Sequence, residues 1–202
     1  MKEEVSHWLE FLDLRIGHGG PINSEAMMAF LAKRLRVTQF EQLKIPMTIV
    51  ATDFWGRSQV VLDSGNLISA INASMAIPGL FEPVKYRGKV LVDGGLVNPV
   101  PYDLLFDDCD VVVAINVLGE RTPDSRDTPG YFETTFNTFQ ILQNSILNEK
   151  LRHRRPDIYI KPDIRDIRML DFNKVSKIYQ QAETARKELA AQLHPYSTQK
   201  NT

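Results

Sequence analysis

Cysteine is nearly absent from this sequence. Cys109 stands alone among 202 residues, so no internal disulfide can close, and a reducing compartment is the natural setting. Long apolar runs are missing too, since no stretch reaches the roughly 18 consecutive apolar residues of a spanning helix. The opening MKEEVSHWLE is acidic and has no apolar signal core. These absences predict a cytoplasmic protein. Neither sign of charge is in excess: 24 Lys and Arg against 25 Asp and Glu give a formal net charge of −1. That balance supplies no long-range attraction to nucleic acid, and no nucleic-acid partner is expected.

Metal and phosphate signatures are also lacking. DDCD (107–110) sets acids beside the cysteine at the start of an apolar run, but no second ligand cluster answers it, so it reads as a solvated turn. GHGG (17–20) follows no clear strand and completes no phosphate-loop pattern, so it reads as a flexible turn. RHRR (152–155) reads as a solvated helix end. No metal and no cofactor is expected.

What is present is an ordinary globular composition, 43% apolar and 24% charged, enough to build a core. The expectation is a single domain over 1–194 with a tail at 195–202. Val5, Trp8, Leu9 and Leu12 fall at helical spacing near the N-terminus. Asn23 or Ser24 can cap a second helix carrying Met27, Phe30, Leu31 and Leu35. MTIVATD (47–53) reads as a buried strand, GRSQVVLDSG (56–65) as a strand ending in a turn, and Leu67 to Met75 as a helix stopped by Pro78 and Gly79. DDCDVVVAINVL (107–118) is nearly continuous in apolar residues and suits a strand covered on both faces. ERTPDSRDTPG (120–130) reads as a surface loop. A helix from about Phe132 to Leu151, a strand in DIYIKPD and a last helix from Asn173 to Leu193 follow. That last helix carries Val175, Ile178, Ala182, Ala185 and Leu189 on one stripe. Strands alternating with helices predict an α/β layer fold with a mainly parallel central sheet.

One stretch carries the chemistry. In VLVDGGLVNPVP (90–101) an apolar strand, KVLVD, stops at a carboxylate, and Gly94 and Gly95 follow at once. Chemistry in open α/β sheets collects beyond the carboxyl ends of strands. Gly94 and Gly95 let the backbone turn with no Cβ in the way. Asp93 at such a place can accept a proton from a hydroxyl. An Asx turn or a helix cap is the alternative use of the same residue.

The wider sequence resembles the bacterial patatin-like phospholipases. The resemblance is carried by ATD (51–53), ASMAIPGLFEP (73–83) and GKVLVDGGLVNPVP (88–101), in that order. GGPINSEAMMAFLAKRL (19–35) and IKPDIRDIRMLDF (160–172) extend it to nearly all of the chain. It implies a three-layer patatin-like fold and a serine hydrolase with a Ser–Asp dyad, acting on acyl esters of lipids. Asp93 then stands where the family has its base, with Gly94 and Gly95 as the supporting motif. A dyad needs no histidine, and His7, His18, His153 and His194 sit in no motif. The substrate would be a lipid or acyl ester, with contact to a membrane surface.

The family's nucleophile sits in G-x-S-x-G, which this sequence does not contain. Met1 falls where the family's elbow helix has already passed, so the fold is expected to be truncated at its N-terminus, without its first strands, oxyanion loop and elbow. Ser74, in NASMA, reads as a helix-packing residue and Ser64, in LDSGN, as a turn residue. Loss of a hydrolase nucleophile costs on the order of a million-fold in turnover, so the chain alone is expected to be inert. Missing strands would leave an open sheet edge and invite self-association. The competing reading is a non-catalytic lipid- or protein-binding relative of the same fold. A third, an unrelated α/β protein using Asp93 in phosphoryl or metal chemistry, has neither phosphate loop nor ligand cluster to support it.

Overall fold

The computed structural model describes residues 24–120, 122, 128, 130–167 and 171–198. The helix read at the N-terminus, GHGG and most of ERTPDSRDTPG lie outside them. The chain forms two compact units, Met1–Pro99 and Val100–Thr202.

In the first unit the elements run α1 (Ser24–Arg34), β1 (Ile49–Asp53), β2 (Ser58–Leu62), α2 (Leu67–Ser74), β3 (Val84–Tyr86) and β4 (Lys89–Asp93). The strands form one sheet in the order β2-β1-β4-β3, and every pairing in it is antiparallel. This differs from the mainly parallel sheet expected, and for the β1–β2 and β3–β4 pairs connection length is the reason. Only Phe54 to Arg57 join β1 to β2, and only Arg87 and Gly88 join β3 to β4. A parallel pair needs a crossover of about a dozen residues or more, so links this short must reverse the chain. Arg87 and Gly88 both hold positive φ, 48° and 78°, as a two-residue type I′ hairpin turn requires.

β1 is the heart of this unit. All five of its residues are buried, and Ile49 and Ala51 pack with Phe40, Leu62, Leu67, Ala70, Ala73 and Leu91. α2 reaches the sheet closely because Ala70 and Ala73 are small and fully buried. Its first turn is capped by Asn66, whose Oδ1 accepts from the Ser69 N–H at 2.8 Å.

In the second unit β5 (Val113–Ile115), α3 (Tyr131–His153), β6 (Ile158–Ile160) and α4 (Val175–Thr198) follow in order. β5 and β6 are parallel, Val113 opposite Ile158 and Ile115 opposite Ile160, with α3 in the crossover between them. Alternation assigns the two faces. Val112, Ala114 and Tyr159 pack with Leu147 of α3 and with Tyr102. Val113, Ile158 and Ile160 pack with Ala185, Leu189 and Leu193 of α4. The strand is shorter than its apolar run, and cover fails from its last residue onward: Ile115 is 45% and Val117 72% exposed. α4 continues past Leu193 with Pro195 inside its last turns.

Candidate functional site around Asp93

β4 enters the core through Leu91 and Val92, both essentially inaccessible, and delivers Asp93 at its carboxyl end. The ladder between β1 and β4 decides which main-chain groups are used there. The Phe54 N–H donates to the Val90 C=O at 2.8 Å. By alternation Thr52 and Val92 form the next bonded pair, and Ala51 and Asp93 face each other as a non-bonded pair. The main-chain groups of Asp93 therefore look elsewhere. Its N–H donates to the Ala76 C=O at 3.0 Å, and its C=O accepts from the Thr52 hydroxyl at 2.7 Å.

The side chain is held as tightly. Oδ1 of Asp93 accepts from the Gly95 N–H at 2.7 Å and so caps the single 3-10 turn Gly94–Leu96. The Asx-turn geometry and a placement suited to chemistry thus coexist. Burial pushes the Asp93 carboxyl above the usual carboxylate range, and the Gly95 N–H opposes that rise in part. A carboxylate raised in this way is a stronger base than one in water.

The two glycines serve different ends. A Cβ on Gly94 would lie 2.1 Å from the Val50 carbonyl oxygen and 2.6 Å from its carbon, so Gly94 is needed for close approach to β1. Neither glycine is among the positive-φ positions, and freedom of φ is not what the turn uses. Gly95 contributes its N–H. Downstream, buried Asn98 donates its N–H to the Gly94 C=O at 3.0 Å and its Nδ2 to Gln59 Oε1 at 2.6 Å. This ties the start of NPVP back to β2.

The other candidates separate cleanly. The Ser74 hydroxyl donates to the Val50 C=O at 2.8 Å, which is a packing role. Ser64 lies in the turn after β2, where its C=O accepts from the Arg87 guanidinium at 2.9 Å. Asp53 ends β1 opposite Leu91, so the two strand-end carboxylates sit at opposite ends of an antiparallel pair. Asp53 binds Lys89 and accepts from the Gly56 N–H, and the Lys89 bond, then the Gly56 N–H, hold its carboxyl below the usual range. His153 pairs with Glu149 on α3, and His194 is exposed on α4. His7 and His18 lie outside the described residues. Among the described residues, no three of His, Cys, Asp and Glu are grouped to hold a metal ion. None of the described helices is long and apolar enough to cross a membrane. Thr52 and Asn98 are the contributors that sequence reasoning passes over. The available signal was a polar side chain within a run otherwise apolar enough to be buried.

Residues 2–106 match the family model described as patatin-like phospholipase. Over 135 residues the chain is 32% identical to uncharacterized NTE family proteins of Mycobacterium bovis and Mycobacterium tuberculosis, a match covering 62% of this chain and 38% of each relative. It is 26% identical over 165 residues to the lysophospholipase NTE1 of Saccharomyces cerevisiae, covering 70% of this chain and 10% of that protein. The match thus spans well under half the length of these relatives. Because the family model takes in more than half of its residues, the chain belongs to the patatin-like phospholipase family.

Proposed function

We propose that this chain supplies the base of a lipid acyl-ester hydrolase, with Asp93 as proton acceptor for a serine carried outside these 202 residues. The observation that carries the reading is the pose of Asp93, at a strand's carboxyl end, partly buried and raised in basicity. In the first half-reaction the serine hydroxyl gives its proton to the Asp93 carboxylate as its oxygen bonds to the ester carbonyl carbon. When the tetrahedral intermediate collapses, the ester C–O bond breaks and the alcohol leaves with the proton from Asp93. Water then repeats the sequence on the acyl-serine, releasing the fatty acid and restoring the hydroxyl. The chain by itself should neither hydrolyse p-nitrophenyl esters above background nor react with a fluorophosphonate probe. Stoichiometric labelling of Ser74 or Ser64 would overturn the structural roles given to both.

Contact with a lipid surface belongs to the same reading. β1 runs antiparallel to β4, so the segment leading into β1 lies at the end of the sheet where Asp93 sits. There Ile45 is 80% and Met47 47% exposed. The aromatic pair Phe54 and Trp55 is also exposed, but it belongs to the turn at the other end. Replacing both Ile45 and Met47 by Glu should weaken co-sedimentation with phosphatidylcholine vesicles by about tenfold or more. Unchanged binding would remove this edge from the account.

Self-association through a sheet edge is likewise supported by β5. The Ile158 N–H donates to the Val112 C=O and the Asn116 N–H to the Ile160 C=O. Residues 112, 114 and 116 therefore serve β6, and Val113 and Ile115 turn their main-chain groups outward. No lysine or proline guards this edge. Sedimentation velocity at micromolar concentration should show dimers or larger species that Ile115→Lys returns to monomer. A monodisperse parent chain would contradict it. The exposed, free thiol of Cys109 supports a cytoplasmic setting.

A further inference from the structure

We propose that Thr52 is a positioning residue for Asp93, its hydroxyl fixing the peptide after Asp93 and through it the pose of the carboxylate. The proposal rests on the reading of Asp93 as the base. Thr52 lies in the middle of a fully buried strand and is only 5% exposed. Valine has nearly the same shape and would fill that space without a polar group to satisfy. A buried hydroxyl needs a partner, and the partner here is the Asp93 C=O at 2.7 Å.

That carbonyl has no other donor offered by the ladder, because Ala51 and Asp93 form a non-bonded pair. The chain leaves the sheet at this point, with Asp93 at φ −44° and ψ 132°. The orientation of the peptide between Asp93 and Gly94 then sets where the next N–H points. That next N–H is Gly95's, 2.7 Å from Oδ1 of the carboxylate. Thr52 thus acts on the carboxylate through a lever two residues long. The Ala76 C=O, the Gly95 N–H and the Val50 main chain are the other restraints on this turn. These are backbone groups, and the Asn98 side chain acts further along the chain, on Gln59, so Thr52 is the side-chain restraint that bears on Asp93 itself.

The consequence has a sign. With Thr52→Val the peptide loses its anchor and the Gly95 N–H drifts from Oδ1. The charged carboxylate is then less favoured, and its titration midpoint rises. Burial and the Gly95 N–H are the two influences on this group, and no charged side chain among the described residues adds to them. Thr52→Ser keeps the donor and should leave the midpoint in place.

The test is a carboxyl carbon-13 NMR titration of Asp93 in the 202-residue chain, assigned by its disappearance in Asp93→Asn. A higher midpoint in Thr52→Val with an unchanged one in Thr52→Ser is the expected result. A Thr52→Val midpoint equal to the parent's overturns the proposal. A Thr52 that merely packs would alter stability and leave that titration alone. Should Thr52→Val not fold, Thr52→Cys, a weak donor of similar size, takes its place with the same expected direction. In a polypeptide that also carries a G-x-S-x-G segment ahead of residue 1, Thr52→Val should lower kcat by about a hundredfold with KM little changed. Thr52→Ser should recover most of the loss. If Asp93→Asn keeps full activity there, it is the base assignment that fails. If Asp93→Asn is inactive while Thr52→Val matches the parent in kcat, the positioning role fails.

Discussion

Gly94→Ala should cost this chain more than about 3 kcal/mol, beyond the usual range for an overpacked core. The new methyl carbon would sit 2.1 Å from the Val50 oxygen, and what stands in its way is backbone. A side chain could rotate aside, but Val50 cannot. It lies on β1, paired to β2 on one side and β4 on the other, and its C=O also receives the Ser74 hydroxyl. Gly88→Ala is the proper comparison. Gly88 has open space where a Cβ would go but holds φ at +78°, so alanine there pays conformational strain alone, about 1–2 kcal/mol. Urea unfolding followed by circular dichroism separates the two. Gly94→Ala with the same midpoint as Gly88→Ala would mean that the turn does not press on β1 at all.

How much of this was legible in sequence follows from where each cause lies. An apolar run ending at a carboxylate is a local pattern, so β4 and the position of Asp93 can be read directly. The reason for Gly94 cannot, because the atom it must avoid belongs to β1, far upstream. The sequence suggests a turn with no Cβ in the way, and the structure shows which backbone atoms a Cβ would meet. β3 is hidden for a different reason. Three residues follow Pro83 and precede a type I′ turn carried by Arg-Gly, without the Asn-Gly or Asp-Gly that makes such hairpins visible. Alternation of helices and strands points to parallel pairing, which holds for β5 and β6 with α3 between them. It fails where hairpin links of four and two residues leave no room for a crossover. Thr52 is the hardest to see, since its importance is a bond to Asp93 across 41 positions of sequence.

Asp93→Asn should separate stability from chemistry. The amide oxygen can still accept from the Gly95 N–H, so the turn survives. In the parent chain the carboxyl is raised by burial, so ionising it costs folding stability. Below about pH 4 the group is protonated in both folded and unfolded chains and the cost is absent. As pH rises past the unfolded value and through the folded one, the cost grows to its full size. Asp93→Asn should therefore be at least as stable as the parent at neutral pH, with the difference closing in acid. Thermal unfolding at the two pH values reads this out. A variant markedly less stable at neutral pH would show the charge to be paired rather than merely buried. In a polypeptide that also carries a G-x-S-x-G segment ahead of residue 1, activity should move the other way. An amide cannot take a proton from serine, and loss of a hydrolase's carboxylate costs roughly ten-thousand-fold in turnover.

The most direct measurement joins the chain to a G-x-S-x-G segment ahead of residue 1 and follows fluorophosphonate labelling of that serine, with and without Asp93→Asn. The probe reports nucleophile activation itself, without a choice of lipid or vesicle. With Asp93 as the base, the joined polypeptide should label rapidly and hydrolyse a p-nitrophenyl acyl ester, and Asp93→Asn should abolish both while remaining folded. Labelling and hydrolysis that continue at the parent rate in a folded Asp93→Asn polypeptide would contradict the account.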